Sequence, residues 1–323
     1  MKFAVAGAGA IGAFLGAKMA RAGYDVTLYA RGAHCRAMQE RGVRVLTPEG
    51  DFEARPRVVD ALDAVGPVDV VFLAVKAHSV PALAPQLPLL FHEETTVVSM
   101  QNGIPWWYFT GAERLETLDP AGVISSVIEA RRVVGSIVYL STEIAEPGVI
   151  RHNESTRITL GEPDGTRSER CRAISEALAR SGLRAPITTH IRQEIWVKLM
   201  GNIAFNPISA LTGATLVRIA RHPEAAQLVR AMMAETEAVA RKLGIEMPIT
   251  IDQRIAGAEK VGEHRTSMLQ DLEAGRTLEL DAIVGAALEL GERLSVAMPH
   301  TGAVYACAKL LESGRKEGKR QKS

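Results

Sequence analysis

"KFAVAGAGAIGAFLGAKMARAG" (Lys2–Gly23) decides the fold of this chain. A short apolar run leads into glycines at positions 7, 9 and 12, and the residues after them repeat with a helical period as far as Gly23. Strand, glycine turn and helix in that order open a parallel α/β sheet. The turn GAGAIG comprises Gly7, Ala8, Gly9, Ala10, Ile11 and Gly12. In such a loop the first glycine allows the tight turn, the second lets backbone approach a pyrophosphate, and the third lets the helix sit close to the sheet. The amides at the helix N-terminus then face the phosphates. Dinucleotide binding is the expectation. The alternative, a plain tight turn, would not need a strand before it and a helix after it.

Working outward, Tyr24–Ala30, Val68–Val75 and Thr95–Met100 read as further strands. Helices are expected at Ala10–Ala22, His34–Arg41 and Val80–Leu90. Strand-like pieces follow at Ser125–Glu129, Gly135–Thr142 and Thr156–Leu160, then a helix over Ser168–Arg180 and a short strand over Arg184–Thr188. After Thr189 the period changes. Residues 190–210, 223–243, 252–262 and 279–294 read as helices, and a last one starts just after Pro299. The expected organisation is an α/β nucleotide-binding domain over 1–189, an all-helical domain over 190–315 and a polar, cationic tail over 316–323.

The second strand bears on the kind of dinucleotide. NAD-preferring sites place a carboxylate there, about twenty residues beyond the glycines, to accept from the ribose hydroxyls. Here the strand ends TLYARG, and the charged residue is Arg31. A guanidinium suits a 2′-phosphate and offers nothing specific to a free diol, so NADPH/NADP+ is expected. An exposed loop arginine is the plainer reading. Lys76 follows the third strand and Asn102 lies in the loop after the fourth. At the carboxyl edge of an open sheet they could hold the nicotinamide ribose and an anionic substrate. Alternatively, Lys76 is a solvated cation at a helix start and Asn102 part of an Asn-Gly turn.

QEIWVKLMGNIAFNPISALTG (Gln193–Gly213) is apolar enough to be buried, yet carries Lys198, Asn202 and Asn206 at intervals of four. On a helix these form one polar stripe, which faces water or lines a site. A break at Pro207 capped by the asparagines is the structural alternative.

Composition narrows the rest. With 38 Lys+Arg against 37 Asp+Glu the net charge is +1, which gives no bulk attraction to nucleic acid or to an anionic membrane. Cys35, Cys171 and Cys307 form no CxxC pattern and read as reduced packing residues. No stretch reaches eighteen uninterrupted apolar residues and no signal peptide is evident, so a cytoplasmic location is expected. The eight histidines include no HxH or HExxH pair, and no metal site is expected.

Together GAGAIG, AVKAHS, SMQNGI, EIWVKLMGNIAFNPISALTG and RTSMLQDLEAGRTLELDAIVG resemble the ketopantoate reductases, through both domains and in order. The resemblance implies a Rossmann-type domain holding NADPH, a helical domain completing the cleft, and reduction of 2-dehydropantoate to pantoate toward pantothenate and coenzyme A. It puts the 2′-phosphate contact on Arg31, cofactor and substrate contacts on Lys76 and Asn102, and the catalytic lysine on Lys198, with Glu279 associated. It puts substrate contacts on Asn202, Asn206, Ser267 and Asp271. Such a lysine, protonated near neutral pH, can polarise a carbonyl and donate the proton that makes it an alcohol.

One stretch departs from the biosynthetic pattern. Trp106, Trp107, Tyr108 and Phe109 follow the QNG loop directly, and either pack beneath the sheet or reshape an acyl pocket. A paralogous reductase of another 2-oxo acid is therefore the alternative within the same chemistry. A non-enzymatic dinucleotide-binding protein is the alternative outside it. The expected partner is a small 2-oxo acid. A homodimer is the candidate assembly.

Overall fold

A computed structural model describes residues 1–109 and 111–320. The chain forms two compact units, Met1–Arg114 with Asp119–Ile191, and Leu115–Leu118 with Arg192–Ser323.

The first unit opens with β1 (Lys2–Ala6), α1 (Ala10–Arg21), β2 (Asp25–Tyr29) and α2 (Gly32–Arg41), followed by β3 (Val43–Leu46), β4 (Phe52–Ala54), β5 (Arg57–Val59) and β6 (Val70–Leu73). The single turn α3 (Val80–Leu83) tightens into a 3-10 helix over Ala84–Leu90, where Pro85 and Pro88 lack the N–H that an α-helix needs. Then come β7 (Thr96–Ser99), β8 (Val133–Val138), β9 (Ser141–Glu146), β10 (Val149–Glu154), β11 (Ile158–Gly161) and α4 (Glu169–Arg180), the last capped by the Ser168 hydroxyl.

Seven strands make one sheet of order β11-β8-β7-β6-β1-β2-β5, parallel except where β11 meets β8. Ala6 lies opposite Tyr29 and Leu73, and Leu73 opposite Ser99. The loops after β2, β1, β6 and β7 therefore leave from one edge. Helix α1 also packs against a second sheet, of order β4-β3-β10-β9. Its Phe14 ring stacks on His152 of β10 at 4.5 Å, whereas a Cβ on Gly16 would fall 2.2 Å from Leu28 of β2. Cover from both sheets explains why α1 is apolar nearly all round.

Several expectations change here. The second sheet was not anticipated, because β3 and β4 are short and β3, β4 and β10 all carry charged residues among the apolar ones. Ser125–Glu129, expected as a strand, is a series of turns, nucleated by the Asp119 carboxylate accepting from the N–H groups of Ile124 (2.6 Å) and Ser125 (3.1 Å). Gly135–Thr142 is two strands, β8 and β9, in different sheets. Arg184–Thr188 makes only isolated bridges to Arg157 and Leu160, since Pro186 has no N–H to extend a ladder.

Among the described residues, the regular elements of the second unit are all helices. It contains α5 (Ile191–Thr212), α6 (Leu216–Arg221), α7 (Pro223–Lys242), α8 (Ile251–Val261), α9 (Ser267–Glu273), α10 (Ala286–Arg293) and α11 (Pro299–Arg320). Residues 279–294, expected as one helix, begin with a π-helical turn at Asp281–Gly285 before α10. The Glu289 carboxylate on α10 accepts from the N–H groups of Glu116 and Thr117, both at 3.0 Å, which ties Leu115–Leu118 to this unit. Of the expected 316–323 tail, the backbone stays helical to Arg320, and residues 321–323 lie outside the described residues. No helix among the described residues is long and apolar enough to cross a membrane.

Candidate functional site

Two of the three glycines of the loop meet a steric requirement within the protein, and the third does not. Gly7 has φ +110°, and a Cβ there would fall 2.5 Å from Val75 Cγ1 and 2.7 Å from Val75 N. A Cβ on Gly12 would fall 2.3 Å from the Gly7 carbonyl oxygen, so the first turn of α1 rests directly on the loop. Gly9 is the opposite case: a Cβ built there meets nothing within 4 Å. The loop is thus closed against protein at Gly7 and Gly12 and open at Gly9, where a ligand's phosphates would approach backbone. Gly9 caps α1 with no side chain, and the first turn of α1 has no acidic residue to compete for its amides.

The Tyr29 carbonyl at the end of β2 accepts from the N–H groups of both Gly7 (3.2 Å) and Ala8 (2.7 Å). That pairing fixes the loop beside the turn carrying Arg31, which is exposed and N-caps α2. Lys76 is partly buried just past β6, at the start of a 3-10 turn over Ala77–Ser79. Asn102 is partly buried after β7, followed by Gly103 at φ +83°. Gln101, which the sequence reading passed over, joins these two loops. Its Nε2 donates to the carbonyls of Leu73 (2.6 Å) and Val75 (3.1 Å). Gly7–Gly12, Arg31, Lys76 and Asn102 therefore share the carboxyl edge of the large sheet.

Of the aromatic run, Trp107 packs onto the sheet. Its Nε1 donates to the Ser99 hydroxyl at 2.6 Å, and its ring occupies the space left by Gly135, whose Cβ would fall 2.8 Å from it. Trp106 and Tyr108 are also buried.

In the helical unit, α5 continues through Pro207, so Asn202 and Asn206 lie inside the helix and cap no break. Lys198 and Asn202 are partly buried on this stripe, whereas Asn206 is 5% exposed and its Nδ2 finds no hydrogen-bond partner among the described residues. A buried amide donor left unmatched costs stability, so its retention fits a ligand acceptor. Burial pulls the Lys198 ammonium down to about 8; buried Glu279 acts against this, and Arg254 of α8 adds to the lowering. Glu279 lies ahead of the π turn, where its carbonyl accepts from the Ile283 N–H at 3.1 Å.

Two other expected substrate residues are placed differently from each other. Ser267 is exposed at the first position of α9. Asp271 is buried on the same helix and pairs with Arg276 at 2.8 Å, an interaction the sequence reading did not include. Arg254 was also missed, because it stands far from Lys198 in sequence and belongs to none of the quoted motifs.

Known proteins resemble the chain along nearly its whole length. The family model for ketopantoate reductase PanE/ApbA matches residues 3–165, and the model for its C-terminal domain matches residues 190–312. A 2-dehydropantoate 2-reductase of Mesorhizobium japonicum is 47% identical over 96% of this chain and 98% of its own length. A crystal structure from Ralstonia solanacearum MolK2, provisionally assigned as a ketopantoate reductase, is 36% identical with a TM-score of 0.93, covering 98% of each chain. D-mandelate dehydrogenase, in a ternary structure with NADH and anilino(oxo)acetate, shares the fold at 23% identity, with a TM-score of 0.86 over 98% of this chain and 100% of its own. The fold and these relatives support an oxidoreductase with a dinucleotide cofactor. The chain belongs to the PanE/ApbA ketopantoate reductase family.

Proposed function

We propose that this chain reduces 2-dehydropantoate to (R)-pantoate with NADPH, as a cytoplasmic enzyme of pantothenate and coenzyme A biosynthesis. The observation that carries the reading is the desolvated Lys198 beside buried Glu279, on a stripe with Asn202 and the unmatched Nδ2 of Asn206. NADPH, when bound, supplies the hydride. The backbone of Gly7–Gly12 would hold its pyrophosphate, Arg31 its 2′-phosphate, and Lys76 and Asn102 its nicotinamide ribose.

Lys198 has two tasks in this reading. Its N–H groups polarise the substrate carbonyl, and one proton passes from Nζ to that oxygen as the alcohol forms. Glu279 keeps the ammonium charged despite its burial. Asn202, Asn206 and Ser267 donate to, and accept from, the remaining substrate oxygens without adding charge. Asp271 orients that face or accepts from a substrate hydroxyl. A steady-state screen of NADPH oxidation against ketopantoate and several other 2-oxo acids tests the proposal. Ketopantoate should give the highest kcat/KM; turnover of another 2-oxo acid at least tenfold better would reassign the substrate while keeping the chemistry.

A further inference from the structure

Gly201 sits on α5 between Lys198 and Asn202, and it is buried. A Cβ built on it would fall 2.0 Å from Nη2 of Arg254, 2.4 Å from its Cζ and 2.5 Å from its Nε. The guanidinium of α8 therefore lies against bare α5 backbone, in space that any side chain at position 201 would take. Positions 198 and 201 are neighbours one turn apart on the helix surface. The guanidinium is accordingly brought beside the polar stripe rather than to the far side of α5.

The electrostatics around Lys198 agree with this placement: Arg254 and Glu279 both act on its ammonium, the guanidinium lowering its proton affinity and the carboxylate raising it. A 2-oxo acid carries its carboxylate on the carbon next to the reacting carbonyl. The cation that holds this carboxylate must therefore be a near neighbour of the proton donor, but must not be the donor itself. A planar guanidinium meets a carboxylate with two parallel N–H donations, which also orients the adjacent carbonyl.

We propose that Arg254, seated on Gly201, binds the carboxylate of the 2-oxo acid and makes the enzyme selective for acids over neutral carbonyl compounds. The proposal rests on the reading of Lys198 as the proton donor. It assigns a role to a residue outside the stripe and outside the motifs that carry the family resemblance.

The test compares a 2-oxo acid with its primary amide as substrates, using NADPH, in the wild type, Arg254→Gln, Arg254→Lys, Gly201→Ala and Lys198→Ala. Arg254→Gln should raise KM for the acid by roughly tenfold to a hundredfold, the scale of one charge-assisted contact. Its kcat/KM for the amide should stay within about threefold of wild type, so the preference for acid over amide collapses. Arg254→Lys should recover part of the affinity for the acid. Gly201→Ala leaves the guanidinium present but displaced and should produce the same acid-selective rise in KM, an independent route if Arg254→Gln folds poorly. Equal losses for acid and amide, or no loss for the acid, would overturn the assignment of Arg254. Lys198→Ala separates the two readings: if it stays fully active the proton-donor reading fails, whereas loss in Lys198→Ala with an unaffected Arg254→Gln removes only the carboxylate site.

Discussion

Buried Glu279 holds up the proton affinity of Lys198 against the burial that lowers it, leaving the ammonium at about 8 rather than at the usual lysine value near 10.5. A lysine in that range is mostly charged at neutral pH, yet gives up its proton far more readily than a surface lysine.

The pH dependence follows from the sign of that shift. In the proposed mechanism Lys198 works as an acid in the reduction, so the reaction would need its protonated form. As pH rises through about 8 the ammonium is lost, and kcat/KM for reduction should fall with an apparent pKa near 8. Oxidation of the hydroxy acid, which needs the neutral amine, should rise over the same interval. Glu279→Gln removes the stabilising carboxylate and should move the descending limb to lower pH. Rate profiles from pH 6 to 10 in both directions check this, and an unmoved limb in Glu279→Gln would remove the glutamate from its role.

The glycine loop predicts a contrast between two single-methyl substitutions. Gly12→Ala forces a Cβ to within 2.3 Å of the Gly7 carbonyl oxygen and should lower the melting temperature by several degrees. Gly9→Ala has open space and a permitted φ of −76°, so it should fold as wild type. It should nevertheless bind NADPH roughly tenfold or more weakly, because the methyl occupies the approach to the pyrophosphate. Thermal melts and fluorescence titration with NADPH separate the two effects. Unchanged NADPH affinity in Gly9→Ala would place the phosphates elsewhere.

The proposed preference for NADPH rests on Arg31, exposed at the start of α2 beside the loop that Tyr29 anchors. NADPH should be preferred over NADH. Arg31→Ala should reduce kcat/KM with NADPH by tenfold or more while affecting NADH little, since only NADPH has a 2′-phosphate to lose. Parallel losses with the two cofactors would show that Arg31 does not read the phosphate.

How much of this was legible in the sequence depended on the distance over which each requirement acts. The βαβ opening could be read because the spacing of Gly7, Gly9 and Gly12 and the apolar periods around them are local. The stripe of Lys198, Asn202 and Asn206 is set by helix geometry alone and was equally visible. The second sheet was not, because β3, β4 and β10 lack a continuous apolar run, and the helix that covers them, α1, is distant in sequence from β10. Arg254 was invisible for a similar reason: its placement depends on the side chain that Gly201 lacks, on another helix. The pairing of Asp271 with Arg276 shows the same limit, since a motif names the acid but not the partner that holds it.

The central claim is that Lys198 delivers the proton, and single-turnover hydride transfer in Lys198→Ala tests it most directly. The variant should fold and bind NADPH, whose phosphates are proposed to lie on the glycine loop of the first unit, while its rate with the preferred 2-oxo acid falls by roughly 10²–10⁴. Asn202→Ala, which alters the same face without removing the donor, should lose less. A deuterated-cofactor isotope effect in all three proteins establishes that hydride transfer is the step observed. A large, Lys198-specific loss in that step is the predicted result; near-normal single-turnover transfer in Lys198→Ala would contradict the mechanism.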